Sequence, residues 1–159
     1  MVRIQYLDYK KVEKKLLELM KNPKSLKQLV SIYILYIQLK NGTRISESID
    51  AYYKFVETSK REVEVRVRKK RKEQYRLVII PKTVKAINVK VSERYVRYVC
   101  NKYLNTNTHS LRYAYITYLS KMNIPYQIIS KITKHSKIEM IEHYTHELLA
   151  QELQRKLAR

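Results

Sequence analysis

One glycine and three prolines in 159 residues leave the chain few places to break, which predicts dense regular structure with short connections. The apolar positions say which structure. Asp8 can cap a first helix reaching about Met20, with Val12, Leu16, Leu17, Leu19 and Met20 on its apolar side, and Pro23 stops it. From Leu26 to Leu39 the pattern is apolar almost all round, as in a buried central helix. Asn41-Gly42 breaks the chain, and a further helix runs from about Ile45 to Phe55.

At Arg61 the period changes. Val63, Val65 and Val67 alternate with Glu64, Arg66 and Arg68, a strand signal, and Tyr75 to Ile80 forms a second strand-like run closed by Pro81. Between them lies Lys69-Lys70-Arg71-Lys72-Glu73, so the segment reads as a β-hairpin with a cationic tip. Those charges also discourage edge-to-edge pairing, a role that alone accounts for most of them. Helix then returns: Ser92 caps a segment holding Tyr95, Val96, Val99, Cys100, Tyr103 and Leu104, and His109 to about Lys121 follows a polar loop. Asn123 is expected in the left-handed conformation that glycine usually fills. Pro125 to Ile132 forms a short helix, and a last one after His146 carries Leu149, Leu153 and Leu157. The expected class is mainly α with a small antiparallel β-sheet, an α+β fold in one domain spanning 1–159.

The formal net charge of +20 favours a polyanionic partner through phosphate neutralisation and counterion release, without identifying the polyanion or any chemistry. A single cysteine, Cys100, excludes a disulfide framework and a multi-cysteine metal site. The opening residues lack a signal-peptide pattern, and Leu29 to Leu39 is too short to span a bilayer, so a soluble, cytoplasmic protein is expected.

Three stretches carry candidate chemistry: Asn41-Gly42-Thr43-Arg44-Ile45-Ser46-Glu47, His109-Ser110-Leu111-Arg112, and Lys134-His135 through Glu142-His143-Tyr144. Each has a plainer reading alone. Arg44 can pair with Glu47 at i,i+3, His109 can cap its helix, His135 can face solvent, and Tyr144 is one of fifteen tyrosines. Order and spacing change that. His109 and His135 lie 26 residues apart, and His135 and Tyr144 lie 9 apart.

In that order the stretches resemble the arginine box, the His-x-x-Arg box and the His-to-Tyr box of the tyrosine recombinase (phage integrase) family, and the resemblance covers nearly the whole chain. Three departures stand out. Tyr113 follows the second arginine where the family commonly has His, Lys134 replaces the Gly before the last His, and the interval from Arg44 to His109 is short. They point to a divergent member, of viral or archaeal mobile-element type.

The resemblance implies metal- and ATP-independent cleavage and rejoining of DNA through a 3′-phosphotyrosine, with no cofactor. Tyr144 would be the nucleophile, and Arg44 and Arg112 would neutralise the phosphate. His109 would accept the tyrosine proton, and His135 would donate a hydrogen bond to a phosphoryl oxygen. A hairpin lysine would be the general acid: strand register favours Lys70, with Lys69 and Lys72 close behind. The family also implies double-stranded DNA as partner, a tetramer on DNA, and a terminal helix (146–159) that either packs at home or docks on a neighbouring subunit; its members usually carry an N-terminal DNA-clamping domain, which is expected to be absent from this chain. A type IB topoisomerase uses similar chemistry but fits the boxes less well. The competing functional readings are a non-catalytic DNA-binding accessory or regulator on the same fold, and a basic structural nucleoprotein. The chain is expected to bind DNA without sequence preference and with an affinity that falls steeply with salt; a fluorescence-anisotropy titration giving nearly equal affinity at low and physiological salt would remove the electrostatic basis of the argument.

Overall fold

Four of the helices begin where a side-chain oxygen accepts an otherwise unpaired first-turn amide. Asp8 accepts from Lys11 N–H (3.1 Å), Ser25 from Gln28 (3.1 Å), Ser92 from Tyr95 (3.1 Å) and Asn107 from Ser110 (2.9 Å). The computed structural model describes residues 5–67, 72–135 and 138–159, without the side chains of Ile138 and Tyr144. Within these spans the elements are α1 (Tyr9–Lys21), α2 (Leu26–Asn41), α3 (Ile45–Thr58), β1 (Glu62–Arg66), β2 (Tyr75–Ile79), α4 (Glu93–Leu104), α5 (Thr108–Lys121), α6 (Tyr126–Thr133) and α7 (Ile138–Leu157).

Helix α2 is the axis of the fold. It packs against α1, α3, α4, α5 and β2, which is why its sequence is apolar on every side. Cys100 is fully buried in the same core. The strands pair antiparallel with Val65 opposite Arg76, and both show strict alternation of buried and exposed positions. Val63 and Val65 of β1 face the core, and so do Arg76 and Val78 of β2. Tyr75, Leu77 and Ile79 face outward.

A second, smaller apolar cluster joins Tyr113 and Ile116 of α5 to Ile129 of α6 and Ile141 of α7. Helix α5 therefore lies between two cores and is buried on nearly all sides. The last helix begins at Ile138, not after His146 as its leucine spacing implied. Tyr144 accordingly sits inside α7 on the chain trace, one residue before the fully buried Thr145, whose hydroxyl donates to the Ile141 carbonyl at 2.9 Å. The early turns of α7 pack on α5 and α6, whereas Leu153 and Leu157 near its end are 57% and 78% exposed.

Among the described residues five positions take left-handed backbone, and two of them matter most for the connections. Asn123 (φ 61°) takes that conformation after α5, as expected. Gly42 (φ 65°) closes α2 by donating its N–H to the Gln38 carbonyl at 2.8 Å. A Cβ at Gly42 would stand 2.3 Å from Cδ1 of the Tyr115 ring, so strain and a clash coincide there. Gly42→Ala should destabilise the fold by at least about 2 kcal/mol, a fall in Tm of roughly 4–8 °C for a chain of this size. An unchanged melting curve would show that the turn relaxes freely.

Candidate active site

Two helix C-termini meet beneath β2, and their carbonyls create the setting for the arginines. The last carbonyls of a helix lack intrahelical donors and carry the negative end of its dipole. The Asn41 carbonyl of α2 accepts from Arg76 Nη2 at 2.8 Å, and the Gly42 carbonyl accepts from Arg112 Nη1 at 3.2 Å. The Thr133 carbonyl at the end of α6 accepts from both, from Arg112 Nη2 at 3.0 Å and from Arg76 Nη1 at 3.4 Å.

The first arginine enters from the other side. Arg44 is the N-cap of α3, and the buried Glu47 carboxylate reaches back to its N–H (3.2 Å) and to its guanidinium (3.1 Å). The i,i+3 ion pair expected from sequence therefore exists, but inside a larger cluster, because Arg76 Nη1 also approaches Glu47 at 3.5 Å. The Thr43 and Ser48 hydroxyls share a hydrogen bond, and Gln38 Nε2 donates to the Thr43 carbonyl at 3.1 Å, which fixes the turn that carries Arg44. Arg44 keeps about a fifth of its side chain exposed (21%), whereas Arg112 and Arg76 are 1% and 3% exposed.

His135 follows α6, whose cap Lys134 sits in the left-handed conformation at φ 59°. This is where the family places glycine, and the geometry gives the reason. Thr133 spends its one hydroxyl proton on the Ile129 carbonyl (2.9 Å), so its oxygen accepts from His135 Nδ1–H at 2.7 Å. Arg112 Nη2 lies 3.1 Å and 3.2 Å from the two ring nitrogens, against the imidazole. The buried Tyr113 ring stands between the histidines, its centroid 5.1 Å from that of His109 and 5.9 Å from that of His135.

The electrostatics follow from burial. Burial, then the neighbouring Arg44, pushes the Arg112 guanidinium down to about 9, still charged at neutral pH. Burial, then Arg112, pushes His135 to about 3, so its imidazole is neutral. Among the described residues three guanidinium groups thus gather with one carboxylate, that of Glu47, which pairs with Arg44 and Arg76, and the Nε atoms of Arg76 and Arg112 have no hydrogen-bond partner. Such a site is short of negative charge.

Of the sequence-derived residues, the structure brings together Arg44, Arg112 and His135, with His109 close enough to lower the His135 pKa. Lys70 lies outside the described residues, as does Lys69; Lys72 is exposed at the edge of the hairpin tip. Tyr144 is placed only by its backbone in α7. Sequence reasoning missed Arg76, and it treated Glu47 only as a partner of Arg44. Arg76 faces the core in line with Val78 and Ile80, but the outward positions of β2 are apolar as well, so strand parity did not single it out. An open groove of about 380 Å³ runs beside the cluster and is lined by Lys40, Tyr75, Arg76, Leu77, Lys131 and Lys134. Among the described residues no group of His, Cys and carboxylates gathers as a metal-ligand set, and no helix is long and apolar enough to cross a membrane.

A histidine held neutral has a defined pH signature. The unfolded chain takes up this proton near the ordinary histidine value and the folded chain only near 3, so the contribution of His135 to stability is complete above about 6.5 and is lost as pH falls below it. Between pH 7 and 5 urea unfolding should show a loss of up to about 2 kcal/mol that His135→Gln abolishes. Equal losses in both proteins would mean that His135 protonates freely.

Comparison with known proteins places the fold. No protein-family model matches the chain. It is 42% identical over 137 residues to "Putative integrase ORF241" of Acidianus two-tailed virus, covering 80% of this chain and 56% of that protein. It is 31% identical to the uncharacterised protein MJ0770 of Methanocaldococcus jannaschii, covering 92% of this chain and 85% of the relative. Among solved structures it superposes on the XerH site-specific recombinase bound to its difH substrate. The TM-score is 0.70 for the post-cleavage complex and 0.67 for the pre-cleavage complex, at 15% identity, covering 97% and 95% of this chain. The chain spans about half the length of the viral relative and of the XerH chains. Three ordered boxes, a recombinase fold and an integrase-like relative lead to one assignment: the chain belongs to the tyrosine recombinase family and has the fold of its catalytic domain.

Proposed function

We propose that this chain cleaves and rejoins DNA as the catalytic domain of a site-specific recombinase, through a 3′-phosphotyrosine at Tyr144. The observation that carries the reading is the gathering of Arg44, Arg112 and His135, from three distant boxes, into a cluster whose guanidinium charge exceeds its carboxylate charge. A scissile phosphodiester supplies the missing anion. Arg44 meets it first, being the more exposed guanidinium, and Arg112 adds its charge from behind.

In the proposed step the Tyr144 oxygen attacks phosphorus and gives its proton to His109. A P–O bond forms to tyrosine, and the bond to the 5′-oxygen breaks. That oxygen leaves with a proton from the hairpin lysine, for which Lys70 is the candidate. Rejoining reverses the step with another 5′-hydroxyl, so no ATP is consumed. His135 donates to a phosphoryl oxygen. Its Nδ1–H is occupied by Thr133, so donation from Nε2 needs a shift of tautomer or a second proton, and an arriving phosphate favours uptake by raising the imidazole pKa. The lysines beside the groove would follow the DNA backbone. By the same family logic the active assembly is a tetramer on double-stranded DNA, and the related viral protein makes integration into a genome the natural context.

The near-complete burial of Arg112 favours one competing reading, a DNA-binding regulator on this fold in which the arginine is purely structural. One experiment separates them. Incubated without metal or ATP with a nicked suicide duplex, the protein should form a covalent adduct on a denaturing gel. Tyr144→Phe should abolish the adduct, and Arg112→Ala should slow its formation by about 10²–10³-fold. An adduct that persists in Tyr144→Phe would move the nucleophile elsewhere. Binding without any adduct would favour the regulator.

A further inference from the structure

Arg76 faces inward from β2 in a row otherwise made of Val78 and Ile80, directly across from Val65. A valine there would complete the apolar face. A lone guanidinium in that position is costly to bury unless several acceptors meet it. Its acceptors are not a random set. Glu47 holds Arg44 by both its backbone and its side chain. The Asn41 carbonyl adjoins Gly42, whose own carbonyl holds Arg112. The Thr133 carbonyl also receives Arg112, and the Thr133 hydroxyl holds His135. Glu47 and Thr133 are thus shared directly with Arg44, Arg112 and His135, and Asn41 adjoins the residue that holds Arg112.

The strand that carries Arg76 is fixed just as firmly. The buried Asn41 amide pairs with the backbone of Ile79 in both directions, donating to its carbonyl and accepting from its N–H, each at 2.9 Å. β2 therefore has a set position relative to the end of α2, and Arg76 projects from it as a rigid arm.

We propose that Arg76 is a positioning residue for strand cleavage, holding Arg44, Arg112 and His135 in one arrangement through Glu47, Asn41 and Thr133. This deepens the recombinase reading and rests on it. Arg76 does not touch the phosphate; it sets where the groups that do so can stand. Lysine cannot replace it, since a single ammonium lacks the planar fork that reaches three acceptors in different directions.

The test compares Arg76→Met, Arg76→Lys, Glu47→Gln and the Arg76→Met/Glu47→Gln pair, using single-turnover adduct formation on the nicked duplex, the duplex Kd and the Tm. Arg76→Met should slow adduct formation by about 100-fold, the scale of a misplaced catalytic group, with Kd within about threefold of the parent. Arg76→Lys should recover little of the rate. The pair should be about as slow as Arg76→Met alone, since both changes cut one link. A folded Arg76→Met or Arg76→Lys protein with the parental rate, or losses that multiply in the pair, would overturn the proposal. Arg76→Lys keeps the charge and decides the matter if Arg76→Met does not fold. Should the parent itself form no adduct, the recombinase reading fails separately, and the positioning role is read from inorganic phosphate titrated against the His135 ring resonances. A tenfold weaker phosphate affinity in Arg76→Lys would uphold it, and an unchanged affinity would sink it.

Discussion

Arg112 is 1% exposed, and a guanidinium so placed stays charged only if its surroundings replace the water it gave up. Here the replacement comes from the open ends of two helices. The carbonyl of Gly42, just past α2, and that of Thr133, the last residue of α6, both point at Arg112, and Arg76 shares the second of them. Helix termini supply this kind of acceptor without any carboxylate, because their carbonyls are unpaired by construction and aligned with the dipole. Much of the remaining layout serves that junction. Gly42 must turn left-handed to present its carbonyl, and Lys134 must do the same so that His135 can fold back on Thr133.

Neutralising arginines with carbonyl dipoles rather than with acids has a functional consequence. Two carboxylates in place of two carbonyls would cancel the cluster's charge and repel a phosphate. With Glu47 as the only carboxylate among its described contacts, the cluster is stable enough to fold and still attracts anions. The neutral state of His135 belongs to the same balance, since a third cation beside Arg112 would add repulsion that nothing nearby offsets. Folding and anion binding are compatible here because partial charges carry the first task and leave formal charge for the second.

How much of this was legible in the sequence depended on how local each signal was. Asp8, Ser92 and Asn123 act on amides or turns within three residues of themselves, and their roles could be read directly. The apolar saturation of α2 and the alternation of β1 were equally plain. Arg76 was not, because β2 is apolar on both faces: Tyr75, Leu77 and Ile79 match Val78 and Ile80, so composition alone does not say which face is buried. The start of α7 was misplaced for a related reason. Among the described side chains of its first turns, Ile141 and Thr145 are buried, a narrower stripe than the leucines farther along, although two of those leucines are exposed. The boxes marked Arg44, His109, Arg112, His135 and Tyr144 by spacing; that Arg44, Arg112 and His135 converge depends on contacts tens of residues apart that no local pattern encodes.

The two cores give the junction a further meaning. Among the described residues, the α6–α7 segment meets α5 through apolar side chains, with Ile129 and Ile141 at their centre, and meets the arginine cluster through the bonds at Thr133 and His135. The outer end of α7 adds one polar tie, where Lys121 and Tyr6 share the Glu152 carboxylate. Such a segment is held in part by the same groups proposed to engage a phosphate. Its placement and the site's affinity for an anion are therefore thermodynamically linked: an anion that binds only the assembled cluster stabilises the docked segment by the same free energy that docking contributes to binding. The third box thus stands on the part of the fold whose position an anion most directly reinforces.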